Sequence, residues 1–315
     1  MQNKTKSIFH KWQTVWLLAL FFGIRVGSFL LREHLIIQGI LAFALLMLLA
    51  ALYFKSPLYA WYLILGEIFL GGTGHFLELG GLSIRTIFIG TFLLLWIIHA
   101  LGTNTYKFRL HIPHRVYYPL IPLGLFVLFA TIHGLTRENG LHAVVSDLIP
   151  YSFLLLVFPA YYLFQKEKSQ HIFIRLVIVF IIGSALFALY NFILFSAGWE
   201  ILHDPYYNWF RDVVMGKITN MGNGFFRIVT PAHLLFTPIA LIISSLLMRD
   251  EKHHWLWRLL LTLALLILIL NFSRAYLLGL CISLLLLAYT HSIKKWLTES
   301  IILVFTICIL FFSIN

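Results

Sequence analysis

Three arginines stand where apolar segments of this sequence begin or end. Arg227 precedes the run TPAHLLFTPIALIIS, Arg274 opens the run AYLLGLCISLLLL, and Arg137 lies in the connection HGLTRENGLHAVVSDLIP. A guanidinium group is planar and stays protonated, so one side chain can bind two oxygens of a phosphate or a carboxylate. Because a cation in hydrocarbon is costly unless it meets water, an acid or an anionic ligand, these positions predict an electropositive site for an anion.

Ser273 and Arg274 mark the start of a predicted helix. Free backbone N–H groups and the positive end of the helix dipole favour an anion at such a position. A different interpretation is that Arg274 only extends to the lipid headgroups. Arg211, in the longest connection, is a secondary candidate for the same site, although a loop arginine is more often simply solvated.

Two charges lie inside apolar runs, Arg25 and Glu67. Both are costly in hydrocarbon, and a pair between them would be the cheapest arrangement. Alternatively, Glu67 faces a ligand cavity or relays protons. We expect no metal site, because His75 has no second ligand at a suitable spacing and the sequence lacks an Asp-x-Asp pair.

These residues lie in a chain whose composition is typical of an integral membrane protein. Of its 315 residues, 61% are hydrophobic and 11% are charged, whereas soluble domains carry about 25% charged residues. Its apolar runs are long enough to cross hydrocarbon. We predict an all-α, polytopic bundle of about eleven transmembrane helices in a single transmembrane domain, 1–315. The predicted helices are 14–31, 35–54, 58–77, 84–101, 116–132, 147–164, 172–195, 229–247, 257–272, 274–290 and 297–314.

Basic residues are distributed unevenly between alternate connections. With the N-terminus in the cytoplasm, fifteen of the 23 Lys and Arg residues fall on the cytoplasmic side, as the positive-inside bias requires. Fusing the two predicted helices around Ser273 would move Lys294 and Lys295 outside, so the bias supports the split. Because location explains the net charge of +11, we do not expect nucleic acid as a partner. The cytoplasmic residues are Lys4, Lys6, Lys11, Lys55, Lys107, Arg109, Arg115, Lys166, Lys168, Arg175, Arg249, Lys252, Arg258, Lys294 and Lys295.

Arginine dominates the outer side. Six of the seven outer basic residues are arginine, whereas lysines outnumber arginines ten to five inside. A positive charge of either residue type is enough to keep a loop on the cytoplasmic side, but recognition of phosphate favours the guanidinium group of arginine. The outer residues are Arg32, Arg85, Arg137, Arg211, Lys217, Arg227 and Arg274. The largest outer connection, 196–228, has aromatic residues suited to a short helix at the headgroup boundary and glycines typical of turns.

The segments FFR-x2-TPAHLLFTPIALIIS, from Phe225, and NFSRAYLLGLCISLLLL, from Asn271, are similar to those of the O-antigen ligase and O-antigen polymerase family. Members of that family carry an arginine before one core helix and a Ser-Arg pair at the start of another. The resemblance is best over residues 120–290. Ala275 stands where the family usually has glycine.

The resemblance implies a GT-C-like, metal-independent, inverting glycosyltransferase without a cofactor. Its donor is a glycan linked to undecaprenyl diphosphate, and its acceptor is lipid A-core or another glycan. Transfer takes place among membrane lipids at the outer face of the bacterial inner membrane, in cell-surface polysaccharide biosynthesis such as that of lipopolysaccharide. Arg227 and Arg274 match the two family arginines that contact the diphosphate, and we add Arg137 from its position.

The family reaction needs a general base to deprotonate the acceptor hydroxyl. In the family a histidine in a later outer loop is proposed for this role, followed by further spans. We expect that loop and those spans to be absent here, because the sequence ends at Asn315; it is either a fragment or a shortened relative with altered chemistry. The candidate bases within the chain are His203, Asp204, Glu138, Glu200, Asp212, His133 and His142.

Two other functions fit the same residues. A non-enzymatic carrier or flippase for an anionic lipid-linked glycan would use the arginines and need no base. Such transporters often contain inverted repeats, and we find no matching halves in this sequence. A structural partner in a polysaccharide assembly complex would use neither an arginine site nor a base.

Overall fold

The computed structural model describes residues 11–72, 75–79, 82–102, 117–118, 120–137, 140–165, 167–222, 224–249, 254–288 and 292–314. They are mostly helical, as predicted for an all-α chain, with two short antiparallel hairpins. In chain order the elements are α1 (Lys11–Leu31), α2 (Leu35–Lys55), α3 (Pro57–Leu70), β1 (Glu78–Leu79), β2 (Leu82–Ser83), α4 (Ile84–Gly102), α5 (Leu120–Thr136), α6 (Leu141–Ser152), a 3-10 turn (Phe153–Leu156), α7 (Val157–Leu163), α8 (Glu167–Ser196), α9 (Pro205–Asp212), β3 (Lys217–Asn220), β4 (Phe226–Val229), a 3-10 turn (Pro231–Leu235), α10 (Phe236–Met248), α11 (His254–Asn271), α12 (Arg274–Leu287) and α13 (Ile293–Ile314).

Within the described ranges, seven helical segments are long and apolar enough to cross a bilayer: Trp12–Leu31, Leu35–Lys55, Ile84–Leu101, Ala143–Leu163, Glu167–Ser196, Pro231–Met248 and Ile293–Phe312. Four further apolar helices are shorter: Pro57–Leu70, Leu120–Thr136, Trp255–Asn271 and Arg274–Leu287. At about 1.5 Å per residue, the 14 residues of α12 extend about 21 Å, less than the roughly 30 Å of bilayer hydrocarbon. These helices are those of a membrane protein, and the number of spans stays a prediction.

The largest difference from the predicted helices is at the end of α3. The helix predicted at 58–77 ends at Leu70, and the hairpin of β1 and β2 follows it. Gly72 has a φ of +66°, the left-handed conformation in which glycine commonly ends a helix. The apolar residues beyond Leu70 therefore belong to a turn and a hairpin.

The helix predicted at 147–164 begins earlier, at Leu141, and is not continuous. Pro150 lies inside α6, where it removes a backbone donor. The 3-10 turn Phe153–Leu156 then separates α6 from α7. The 3-10 turn thus lies between Pro150 in α6 and Pro159 in α7, two residues that cannot donate a helical hydrogen bond.

The chain forms two compact units. The first comprises Met1–Gln38, Ile68–Phe76 and Ile174–Asn315, and the second comprises Gly39–Glu67 and Leu77–Phe173. A single transmembrane domain over the whole chain stays a prediction. In the second unit, aromatic residues pack between helices: the Tyr53 and Phe92 rings are 5.8 Å apart.

In the first unit, α1 and α8 pack side by side and run in the same direction. Arg175 donates a hydrogen bond to the side chain of Gln13, 162 residues away. The Arg25 guanidinium carbon lies 5.2 Å from the Phe187 ring centroid, at the same sequence separation. Because both contacts join residues 162 positions apart in sequence, α1 and α8 are parallel and remain side by side over several turns.

The helices α11 and α13 are also parallel. Near their N-terminal ends, Arg258 Nη2 lies 3.0 Å from Glu299 Oε1. Where α11 ends, the Phe272 ring stacks on that of Phe311, near the end of α13, with centroids 6.3 Å apart. Two contacts at opposite ends of both helices fix their common direction.

The helix α12 runs the other way. Its final turn lies beside the beginning of α13, because Trp296 Nε1 donates to Leu284 O at 2.7 Å. Since α12 starts directly after α11, the chain reverses at the turn around Ser273. The predicted split at this residue is confirmed.

The predicted pair of Arg25 with Glu67 is wrong. Glu67 Oε2 accepts a hydrogen bond from Arg85 Nε at 2.8 Å, where the start of α4 lies beside the end of α3. Arg25 Nη1 instead donates to Phe21 O at 2.8 Å and to Leu70 O at 3.1 Å. The carboxylate of Glu67 is therefore paired with an arginine that lies 18 residues later in the sequence.

Candidate functional site

The two segments that carry Arg227 and Arg274 meet at the turn between α11 and α12. Arg227 lies in β4 and is half-buried, and its Nε donates to Asn271 O, in the last residue of α11, at 2.6 Å. Beside this bond the Phe225 and Phe272 rings make an edge contact with centroids 6.0 Å apart. We call the group Arg227, Asn271, Phe272, Ser273 and Arg274 the arginine turn.

The backbone of the arginine turn is set by two residues. Phe272 has a φ of +48°, a left-handed conformation that bulky residues rarely adopt. Ser273 is extended, and its side chain makes no capping hydrogen bond to α12. The first N–H groups of α12 therefore lack a side-chain cap from Ser273, and the helix dipole adds positive potential there.

Arg274 is exposed at the first position of α12. Among the described residues, the hydrogen bond from Arg227 Nε to Asn271 O is the one hydrogen bond of the Arg227 side chain. The arginine turn therefore holds the Arg227 side chain against the residue three positions before Arg274, beside the start of a helix. Guanidinium groups and the start of a helix are donors that suit phosphate oxygens.

Asn271 is a feature that sequence reasoning missed. It is fully buried, and neither Oδ1 nor Nδ2 of its side chain has a hydrogen-bond partner within the described part of the chain. Its carbonyl holds Arg227, so the residue connects the two segments through its backbone. The only sequence signal was a polar residue at the end of an apolar run, which does not reveal its acceptor role.

Arg137 belongs to the second unit, whereas Arg227 and Arg274 belong to the first. It is exposed at the end of α5 and lines a cleft of about 890 Å³ between α5 and α6, with His133 and Asp147. The predicted convergence of Arg137 on the other two arginines stays a prediction.

Arg211 is occupied by its sequence neighbour. Its Nε and Nη2 lie 2.7 and 3.1 Å from the two oxygens of Asp212. The hydrogen bond from Arg211 lowers the pKa of Asp212 and raises that of Arg211. Both groups are exposed. The pair leaves Arg211 less free for an anion and makes Asp212 a poor proton acceptor.

The candidate bases around α9 lie in the first unit. His203 is exposed with a φ of 92°, and its ring contacts that of Tyr207. Asp204 precedes α9 without capping it. Burial, a hydrogen bond with Asp204 and the charge of Asp204 raise the pKa of Glu200 above that of an ordinary glutamate, which makes Glu200 a stronger proton acceptor than a solvated carboxylate. Glu138 and the side chain of His142 lie outside the described residues, as do Lys4, Lys6, Lys107, Arg109, Arg115, Lys166 and Lys252.

The helix α9 is fixed on the ends of α1 and α8. Trp209 Nε1 donates to Ser28 Oγ at 3.1 Å, and Tyr206 Oη donates to Asn191 Oδ1 at 2.9 Å. Burial raises the pKa of Tyr206, so its hydroxyl remains a proton donor. The predicted short aromatic helix in the connection 196–228 is present, and two of its aromatic side chains are anchored in the unit.

The comparisons with known proteins identify no relative. No protein-family model matches the sequence, no curated protein matches it, and no solved structure matches its fold.

Proposed function

We propose that the protein is a membrane glycosyltransferase that takes a glycan from undecaprenyl diphosphate at the outer face of the bacterial inner membrane. In this proposal the chain crosses the membrane about eleven times, in a GT-C-like bundle with a cytoplasmic N-terminus. Its activity resembles that of O-antigen ligases and polymerases, and its product belongs to a cell-surface polysaccharide.

The observation that carries the proposal is the hydrogen bond from Arg227 Nε to Asn271 O. The two segments that resemble the family are separated by 44 residues in sequence. This bond holds the first family arginine against the residue that begins the second segment. If the two segments resembled the family only by chance, they would not need to lie together in the fold. If both bind one diphosphate, they must lie together.

The charge distribution in the first unit also supports the proposal. The arginine turn and α9 lie where α1, α8, α11 and α13 end, as the contacts of Arg32 with Pro205 and of Phe192 with Phe225 show. Arg175 and Arg258 lie near the beginnings of these helices. Four of the six arginines assigned to the outer side therefore share one end of this unit: Arg32, Arg211, Arg227 and Arg274. This is the arrangement that the positive-inside bias predicts for the unit.

In the proposed reaction, the acceptor hydroxyl attacks the anomeric carbon of the donor sugar. The bond from that carbon to the diphosphate oxygen breaks, and undecaprenyl diphosphate leaves with the bonding electrons. Arg227, Arg274 and the start of α12 stabilise the charge that develops on the leaving group, and they do so best in a site of low dielectric. A carboxylate or histidine takes the hydroxyl proton, and Glu200 is our first choice among the described residues.

Transfer by the purified protein in lipid vesicles tests the proposal. The vesicles receive a polyprenyl-diphosphate-linked oligosaccharide together with either a lipid A-core or a glycan acceptor, and the product is read from its mass. We expect Arg274→Lys to lower the rate at sub-saturating donor roughly ten-fold, because an ammonium cannot bind two oxygens as a fork does. Arg249→Lys makes the same exchange at an exposed arginine after α10 and should leave the rate unchanged.

Two results would contradict the proposal. The first is an equal rate in the Arg274→Lys and wild-type proteins. The second is movement of a labelled donor across the bilayer with no glycosidic bond transferred, which would identify a carrier.

A further inference from the structure

Arg25 is a buried cation that the proposed reaction does not use. Only 6% of its surface is exposed, although it lies in the middle of α1. Its Nη1 reaches back to Phe21 O, one turn towards the start of the helix. The side chain therefore points away from the nearer end of α1, so it does not extend to water there.

The charge of Arg25 has no acidic partner in the described part of the chain. Its neighbours are two backbone carbonyls and three aromatic rings, of which Phe21 lies 3.3 Å from the guanidinium carbon. Its Nε is buried and has no hydrogen-bond partner among the described residues. Ring faces and carbonyls offset part of the desolvation cost of a cation, and an anion would offset the remainder.

A cavity of about 400 Å³ opens beside Arg25 within the first unit. Its volume falls in the range of about 300–1,000 Å³ that is usual for small-molecule sites. Its walls come from α1, α8 and α9 and are apolar or aromatic except at Arg25 and the tyrosine hydroxyls: Phe22, Val26, Phe29, Leu186, Phe187, Tyr190, Tyr206 and Trp209.

The rim of this cavity is exposed on two helices that are suited to cross a membrane, where it would face lipid. Val26, Leu186 and Tyr190 are 58%, 48% and 53% exposed on helices that are suited to cross a membrane. A ligand that enters from this side arrives through the bilayer. It must present hydrocarbon to the walls and an acceptor to the guanidinium group.

We propose that the cavity beside Arg25 binds an anionic phospholipid, with its phosphate towards Arg25 and one acyl chain along the aromatic wall. Anionic phospholipids combine both properties and are supplied by the membrane that surrounds the rim. Arg25 lies six residues before Leu31, so about 9 Å separate it from the end of α1 along the helix axis. The phosphate of a bound lipid would therefore sit below the end of the helix, which accounts for a guanidinium group that does not reach outward.

Thermal unfolding of the purified protein in nanodiscs tests this proposal. We expect phosphatidylglycerol nanodiscs to raise the Tm above that in phosphatidylcholine nanodiscs, because a ligand that binds only the folded state stabilises it. Arg25→Gln removes the charge and should abolish the difference. Leu186→Trp fills the cavity from its exposed rim and replaces an apolar residue, so the side chain of Arg25 is retained. This variant therefore tests the proposal even if Arg25→Gln fails to fold. Arg249→Gln removes an exposed cation elsewhere and should keep the difference.

Four results would overturn the proposal. They are an equal Tm in the two lipids, an unchanged difference in Leu186→Trp, loss of the difference in Arg249→Gln, and equal stabilisation by inorganic phosphate in phosphatidylcholine nanodiscs. Stabilisation by undecaprenyl phosphate but not by phosphatidylglycerol would assign the cavity to the carrier lipid and would also contradict it. None of these measurements depends on glycan transfer, so the proposal can fail or succeed separately from the proposed function.

Discussion

At the residue scale, the charges of this protein are arranged by contacts that sequence separation does not reveal. Arg25 and Glu67 were the two charges inside apolar runs, and their pairing was the cheapest arrangement that the sequence offered. The structure pairs Glu67 with Arg85, which sequence reasoning had placed on the outer side at the start of the helix predicted at 84–101. The start of α4 brings Arg85 beside α3, and this proximity depends on where α3 ends, which the hydropathy pattern placed too late.

The buried amide of Asn271 leads to a prediction about stability. A buried polar side chain without a partner carries a desolvation cost of about 1–3 kcal/mol. Asn271→Leu removes that cost and leaves the backbone carbonyl that accepts from Arg227. We therefore expect the Tm of purified Asn271→Leu to equal or exceed that of the wild type.

The matched comparison is Asn271→Asp, which places a charge at the same buried position and should lower the Tm. A fall of several degrees in Asn271→Leu would mean that the amide forms a favourable interaction in the folded protein. The Tm of both variants is measured in the same detergent.

At the element scale, sequence predicted the helices well where two signals agreed. The split of α11 from α12 needed charge as well as hydropathy, because the apolar run alone continues across Ser273. The acceptor at Asn271 O, in contrast, depends on how β4 packs against the end of α11, and no local pattern encodes that contact. The resemblance to the family placed Arg227 and Arg274 in one site. The contact of Arg227 with Asn271 that brings their two segments together could be learned only from the structure.

The parallel packing of α1 on α8 depends on a glycine. A Cβ at Gly183 would lie 2.8 Å from carbons of the Phe21 ring, which is fully buried beneath Arg25. Gly183→Ala should therefore destabilise the protein by about 1–3 kcal/mol, the usual effect of an overpacked core. Thermal or denaturant unfolding of the purified variant measures this change.

Gly90→Ala provides the control, because a Cβ at Gly90 in α4 meets no atom within 4 Å. There the helix propensity of alanine should leave stability unchanged or slightly raised. Equal behaviour of the two variants would show that α1 and α8 do not pack as closely as described.

At the scale of the whole molecule, the orientation in the membrane decides whether the arginine turn faces the outer leaflet. Met221 lies between β3 and β4 and is half exposed, and Ser292 lies between α12 and α13 and is exposed. In a variant without Cys281 and Cys308, we expect Met221→Cys in intact bacterial cells with a permeable outer membrane to react with an impermeant maleimide. Ser292→Cys should react only after the inner membrane is opened.

The reverse labelling pattern would place the arginine turn in the cytoplasm and would contradict the proposed orientation and donor site together. Sequence reasoning predicted this orientation from the distribution of lysine and arginine. The contacts of the first unit agree with the alternation of its own helices, since they show which helices run in the same direction.

The short length of α12 has a consequence for the lipids around it. If α12 crosses the membrane as we propose, its length of about 21 Å in a bilayer of about 30 Å would draw the adjacent leaflets together, because an apolar surface shorter than the hydrocarbon is matched by local thinning. Headgroups of the neighbouring leaflet would then lie at the level of Arg274. The proposed polyprenyl-diphosphate donor would then reach the start of α12 while its isoprenoid tail stayed in the membrane interior, so the reaction would not require extraction of the donor from the bilayer.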